Sequence, residues 1–287
     1  MKLGFNEATS MGCSDLETDV RLGAEAGFDY IELRFDKIRE YLKTHRVEQI
    51  RELLDECGIR PHALNAIYTY AELFGERDDP ARRAGFEKEF LEALQLAKET
   101  GAGHIIVVPP MNPAGFTVPY GKNREDSVRD FSRIARELAK RAAPFGVRLC
   151  LEPVGAPKSS IRTVQDALEA VRAAESPLVG LTLDAYNLYM WQMDSCYGEI
   201  GQLEKEQIFA VHINNADDTG PSLEARKLCG SGVIDLGAFL GEIRKTGYDG
   251  MASVEVFCPE YWKMTPQELI PLAYRTTRAE LERHGCL

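Results

Sequence analysis

Short apolar runs of strand length alternate along this chain with longer stretches of helix length, and the joint between the two recurs. At each joint a helix ends on glycine, an apolar or small residue follows, and a strand begins. The instances are Ala26-Gly27-Phe28-Asp29-Tyr30-Ile31, Cys57-Gly58-Ile59-Arg60, Thr100-Gly101-Ala102-Gly103-His104-Ile105, Phe145-Gly146-Val147-Arg148-Leu149 and Thr246-Gly247-Tyr248-Asp249-Gly250-Met251. Glycine suits the left-handed position that closes a helix, and the next apolar residue packs back on the last turn. Repetition of this joint implies one αβ unit used again and again, the mark of a parallel sheet.

The pattern predicts strands near 2–6, 30–34, 60–66, 104–108, 148–152, 179–184, 209–213 and 251–256. Helices are expected near 15–26, 46–57, 80–100, 124–144, 163–174, 198–206, 235–245 and 266–284. Ser14 with Glu17 reads as a capping box, and Asp79-Pro80 and Thr265-Pro266 put proline at the first helical position. Eight strands alternating with eight helices predict an α/β fold, a single (β/α)8 TIM barrel occupying residues 1–287 as one domain. No G-x-G-x-x-G follows the first strand, which counts against an open dinucleotide-binding sheet. The long strand-to-helix loops, 109–122 and 213–234, lie on the side where such barrels keep their sites.

Composition narrows the function classes. The net charge of −11, from 45 acidic and 34 basic residues, argues against non-specific binding to nucleic acid or an anionic membrane. No apolar run approaches the roughly 18 residues of a membrane span. The seven cysteines are scattered, with no C-x-x-C pair, so they read as small core residues in a reducing cytoplasm.

Candidate chemistry sits where strands end. Four consecutive predicted strands finish on a metal-type ligand, in Arg148-Leu-Cys-Leu-Glu152, Leu181-Thr-Leu-Asp184, Phe209-Ala-Val-His212 and Ser253-Val-Glu255. Strand C-termini face the mouth of a barrel, so the four side chains converge. The residues two before them, Cys150, Thr182, Ala210 and Ser253, share their face and are all small, as a recessed pocket requires. Alone, either glutamate would read as solvated, Asp184 as a turn cap and His212 as a satisfied semi-buried histidine. Together, three converging carboxylates would repel unless a cation neutralised them, so the set is expected to hold one divalent metal ion, Mn, Mg, Co or Zn. His45 and His284 sit among polar residues and His104 opens a strand at the wrong end, leaving His62 as the only competing histidine.

The same residues carry a resemblance. Lys2-Leu-Gly-Phe-Asn-Glu-Ala-Thr9, Ala63-Leu-Asn-Ala66, Leu151-Glu-Pro-Val-Gly155 and Ser253-Val-Glu-Val-Phe-Cys-Pro-Glu-Tyr-Trp-Lys263 resemble the inosose (2-keto-myo-inositol) isomerases, within the xylose-isomerase-like superfamily of sugar isomerases and epimerases. The resemblance runs from the first strand to the last helix. It implies that Glu152, Asp184, His212 and Glu255 bind the metal, that Glu152 and Glu255 are the acid/base pair, and that inositol catabolism is the setting. Two departures stand out: Asn187 replaces the histidine that family members often carry three residues after the sixth-strand aspartate, and Ala225-Arg226 with Cys229-Gly-Ser-Gly232 replaces Asp-Arg with Pro-Gly-x-Gly.

The expected activity is therefore metal-dependent isomerisation or epimerisation of a keto-polyol or ketose through an enediolate, inosose first. Rival readings are a dehydratase of the same substrate class, an abasic-site endonuclease on the same fold, and a sugar-binding barrel that has lost catalysis. Asn6, Glu7, Asn65, Asn187, Arg226 and Lys263 are the expected substrate contacts, with Glu32 and Arg34 also ending early strands. Trp191, Trp262, Tyr68, Tyr186 and Tyr261 are candidates for the wall of a sugar pocket. The apolar run Leu188-Tyr189-Met190-Trp191 points to either a homodimer contact or a lid.

Overall fold

In the computed structural model, which describes residues 1–287 apart from the side chain of Leu223, the apolar runs form the expected strands. They are β1 (Lys2–Asn6), β2 (Tyr30–Arg34), β3 (Arg60–Tyr68), β4 (His104–Val108), β5 (Arg148–Leu151), β6 (Val179–Asp184) and β7 (Ile208–Ile213). A small antiparallel ribbon, β8 (Asn215–Ala216) with β9 (Arg226–Lys227), interrupts the alternation before β10 (Met251–Val254). The eight long strands close into a barrel in the order β1-β10-β7-β6-β5-β4-β3-β2, and every barrel pairing is parallel.

The helices are α1 (Leu16–Ala26), α2 (Phe35–Tyr41), α3 (Val47–Cys57), α4 (Pro80–Thr100), α5 (Arg124–Ala142), α6 (Val164–Ala174), α7 (Ala185–Tyr189), α8 (Leu236–Lys245) and α9 (Pro266–Arg283). In α5 the buried positions Val128, Phe131, Ile134, Ala135, Leu138 and Ala142 form one stripe, which lies against the sheet. The recurrent joint behaves as its composition requires. Gly27, Gly58, Gly101, Gly146 and Gly247 take φ of 107°, 72°, 84°, 67° and 77°, where a side chain would be strained.

Three local expectations are corrected. The N-cap of α1 is Asp15, which accepts from the Thr18 amide at 2.8 Å, while the Ser14 hydroxyl turns to a neighbouring carbonyl. Residues 198–206 do not form an α-helix: Gly198 and Gly201 weaken it, and two short 3-10 turns, Ile200–Gln202 and Lys205–Gln207, take its place. The second unit carries an additional short helix, α2, held by buried Phe35 and Ile38. Pro80 and Pro266 open α4 and α9 as expected, behind the caps Asp79 and Thr265, and Thr265 also forms a capping box with Glu268.

Burial is two-sided. The large apolar core fills the space between sheet and helices, with Phe5, Leu33, Phe90, Phe131 and Phe239 among its side chains. A separate small cluster of Ala63, Ile106 and Cys150 lies inside the barrel. Thr182, Ala210 and Ser253 are fully buried with Cys150, so the layer beneath the strand ends is built of small side chains. No helix is long and apolar enough to cross a membrane among the described residues.

Toward the strand N-termini, His62 and His104 stack with ring centroids 4.4 Å apart. His62 Nε2 lies 3.1 Å from the Phe209 carbonyl and His104 Nδ1 lies 3.2 Å from the His62 carbonyl, so each ring donates to backbone. Burial pushes His62 down to about 3 and His104 down to about 4, and both are neutral in the folded protein near neutral pH. Above the ordinary histidine value of 6.5 neither state binds these protons. As pH falls below it, the unfolded chain takes up protons that the buried rings refuse, so their contribution is lost between 6.5 and about 3–4. Thermal melts should therefore show Tm falling more steeply with acid in the wild type than in His62→Gln, which keeps a donor for Phe209 without the titrating ring. Identical slopes between pH 6.5 and 4.5 would detach the histidine pair from acid stability.

Candidate metal centre

Parallel pairing brings the predicted ligands together at the strand C-termini. Asp184, the last residue of β6, lies in register opposite His212 of β7, and His212 is opposite Ser253 of β10. Glu152 and Glu255 are the residues that follow β5 and just beyond β10. One donor atom from each of Glu152, Asp184, His212 and Glu255 lies within 4.8 Å of all the others, and all four residues are buried. Nδ1 of His212 faces the carboxylates, at 3.3 Å from Glu152, 3.5 Å from Glu255 and 4.0 Å from Asp184.

Like charges this close and this dry are tolerable only with compensation. Arg226, almost fully buried, supplies part of it: Nη1 donates to Glu255 Oε2 at 2.6 Å and Nη2 lies 3.4 Å from Asp184 Oδ1. Amides supply more. Asn6 and Asn65 both donate to Glu255 Oε1, at 3.0 and 2.7 Å, and Asn187 donates to Glu152 Oε1 at 3.0 Å. Asn214 donates to Asp184 Oδ2 at 2.7 Å, and its own oxygen accepts from the Tyr186 amide, which fixes the direction of the side chain.

The two glutamates are held differently. Burial pushes Glu152 up to about 7, against the bond from His212 that favours its anion. Burial also opposes ionisation of Glu255, but His212 and Arg226 overcome it and hold this carboxyl well below the usual range. Asp184 is raised by burial despite Arg226. Burial would lower His212, yet Glu32 and Glu255 keep it protonated well above the ordinary histidine value. A metal-bound imidazole must give up that proton, and three ligand carboxylates against one guanidinium then leave a shortage of positive charge that a divalent cation would fill. The donor set of oxygens and one imidazole nitrogen suits such an ion.

Of the expected substrate contacts, Asn6, Asn65, Asn187 and Arg226 are gathered around the cluster, as described. Asn187 also accepts from Arg226 Nη2 at 3.0 Å, so it joins the guanidinium to Glu152. Glu7 lies apart: fully buried, it accepts from the Arg34 amide at 2.6 Å, and burial pushes it up to about 8 against nearby Lys37. Arg34 pairs with Asp36. Lys263 is exposed, with Nζ 2.6 Å from Glu260. Glu32 reaches His212 Nε2 at 2.9 Å. His62 takes its place in the histidine stack described above, and His45 stacks on Tyr41.

Among the aromatic candidates, Tyr68 is 64% and Trp191 40% exposed. Tyr186 is buried, with the Arg226 guanidinium 5.5 Å from its ring centre, and Trp262 Nε1 donates to the Thr9 carbonyl. Tyr189 and Met190 turn into the core, so Trp191 alone of these three meets solvent. Asn214 was not anticipated from sequence. Its signal is alternation: two residues beyond His212 it returns to the same face of the chain.

A family model for the xylose isomerase-like TIM barrel matches residues 20–279. The chain is 33% identical to an inosose isomerase of Bacillus velezensis, over 99% of this chain and 98% of that one. It is 34% identical to an inosose isomerase of Bacillus subtilis, over 96% of each. Among solved structures, that of IolI protein with a bound zinc atom superposes with a TM-score of 0.89 at 32% identity, covering 99% of both chains.

The cluster predicts its own occupancy. Elemental analysis of protein purified without chelator should find about one divalent ion per chain, and His212→Ala should lose most of it. Equal metal content in the two proteins would remove His212 from the ligand set.

Proposed function

The chain belongs to the xylose isomerase-like TIM-barrel family, and on that premise we propose that it is a divalent-metal-dependent inosose isomerase. The observation that carries this reading is the arrangement of Glu152 and Glu255. They leave strands β5 and β10, which β6 and β7 separate in the barrel, and so approach the centre of the cluster from different sides. A keto-polyol seated between them meets one carboxylate on each side.

A divalent ion held by Glu152, Asp184, His212 and Glu255 would polarise the ketone oxygen and lower the energy of the enediolate. The protein's own part is proton movement. One glutamate takes the proton from the carbinol carbon beside the ketone, and the bonding pair becomes the carbon–carbon double bond of the enediolate. A proton delivered to the former carbonyl carbon, with loss of the proton from the neighbouring hydroxyl, leaves the ketone one position along the ring. Return of a proton to the original carbon from the opposite face would instead give an epimer. Burial that raises Glu152 suits a group that starts with the proton it delivers, whereas Glu255, tied to Asn6, Asn65 and Arg226, starts ionised and able to accept one.

Asn187 and Arg226 act in this reading on the carboxylates as well as on substrate oxygens, since both are buried and already bonded within the cluster. The seven thiols are unpaired, which fits the cytoplasm as the place of work.

Incubation with inosose in D2O tests the reading. Deuterium should enter the ring at carbon, with mass otherwise conserved and a ketone isomer formed. Loss of water to an absorbing enone would replace the isomerase with a dehydratase, and no exchange into any ketose by the metal-loaded protein would overturn enediolate chemistry here. Glu152→Gln and Glu255→Gln should each lower kcat by roughly 10²–10⁴-fold while leaving the far-UV circular dichroism unchanged, because an amide keeps the shape but cannot take up the proton. Near-normal kcat in either variant would remove that residue from proton transfer.

A further inference from the structure

We propose that Glu32, on the second strand, decides which nitrogen of His212 meets the metal, and so acts as a positioning residue for the centre. The inference rests on the reading that Glu152, Asp184, His212 and Glu255 hold a divalent ion, and it concerns a residue outside that set.

An imidazole nitrogen can bind a metal only with its lone pair free, so the ring proton must then sit on the other nitrogen. In this structure Nδ1 of His212 faces Glu152, Glu255 and Asp184 at 3.3, 3.5 and 4.0 Å, whereas Nε2 points away from them toward Glu32 Oε2 at 2.9 Å. Glu32 therefore offers the acceptor that keeps a proton on Nε2 and leaves Nδ1 for the ion. Both side chains are fully buried, and the contact spans the barrel, since β1 and β10 stand between β2 and β7.

Glu32 is itself held in place. The Asn6 amide donates to the same Oε2 at 2.6 Å and also to Glu255 Oε1 at 3.0 Å. The Asn6 oxygen accepts from the Ala8 backbone N–H at 2.9 Å, which settles that the nitrogen end of this amide faces the two carboxylates. A backbone group of the first strand-to-helix loop thus orients Asn6, Asn6 orients Glu32, and Glu32 orients the imidazole. A carboxylate behind a metal-bound histidine also makes the ring a better donor, and losing such a partner typically costs about 10–100-fold in metal affinity.

The test uses the full-length protein, stripped of metal with chelator and titrated with zinc and with cobalt. Glu32→Leu should bind zinc roughly 10–100-fold more weakly than wild type and should shift the visible spectrum of the cobalt form. Glu32→Gln, whose amide oxygen still accepts from Nε2–H, should recover part of that loss. Nitrogen-15 NMR of zinc-loaded wild type should show His212 metallated at Nδ1 and protonated at Nε2, an outcome that does not depend on how the variants fold. Metallation at Nε2 would overturn the proposal. So would wild-type affinity and an unaltered cobalt spectrum in folded Glu32→Leu, and a rise in KM without weaker metal binding would make Glu32 a substrate contact instead. Failure of the wild type to bind either ion at His212 would overturn the functional reading as well, so the two failures are distinguishable.

Discussion

Packing several ionisable oxygens into a dry space a few ångströms wide is the constraint on which the rest of this site depends. Glu152, Asp184 and Glu255 are buried, and each lies within 4.8 Å of the others through at least one donor atom. Unpaired, such groups would give up their charge by taking protons or would push the strand ends apart. The surrounding residues answer that problem in two ways. Arg226 brings a permanent positive charge to Glu255 and Asp184, and Asn6, Asn65, Asn187 and Asn214 bring neutral donors that occupy lone pairs without adding charge. What these groups leave uncompensated matches the role of a divalent cation.

The barrel makes this arrangement affordable in geometric terms. Parallel strands all end at one rim, so ligands distant in sequence converge without a long loop having to carry them. Side-chain alternation then stacks each ligand above a small residue: Cys150 below Glu152, Thr182 below Asp184, Ala210 below His212 and Ser253 below Glu255. Bulky residues in that layer would lift the ligands toward solvent, where water would screen them and weaken their hold on a cation. The apolar energy that holds the barrel together comes from the outer face of the same strands, against the helices. Site and stability are thereby drawn from opposite faces of one sheet.

That division explains how much could be read from sequence. The strands and the four-residue cluster were legible because each depends on a local rule: an apolar run of strand length, a glycine at the recurring helix-to-strand joint, a polar residue at the strand end. The helix expected at 198–206 failed because its apolar residues do not outweigh Gly198 and Gly201. The α1 cap went to Asp15 rather than Ser14 because both can cap, and one residue of register separates them. Partners joined across the barrel were the least visible. Nothing near Glu32 in the chain announces His212, 180 residues away, and Asn214 carries only the faint signal of its spacing from His212. Lys263, by contrast, looked promising through its neighbours in the sequence, yet its short turn carries it out to solvent and Glu260.

Asn187 shows how a departure from the family pattern is absorbed. A neutral histidine ring donates from one nitrogen and accepts at the other, and a carboxamide does the same over a shorter reach. Here the Asn187 oxygen receives Arg226 while its nitrogen gives to Glu152, and its backbone N–H donates at 2.6 Å to Oδ1 of Asp184, which caps α7. One small side chain thus spans the cation and the glutamate that burial leaves poised near neutrality. Because the amide cannot titrate near neutral pH, protonation at this position adds no second positive charge beside Glu152 as the pH changes. The substitution therefore keeps the hydrogen-bond path between Arg226 and Glu152 while removing one source of variable charge, so the proton on Glu152 answers to burial, His212 and the neighbouring carboxylates.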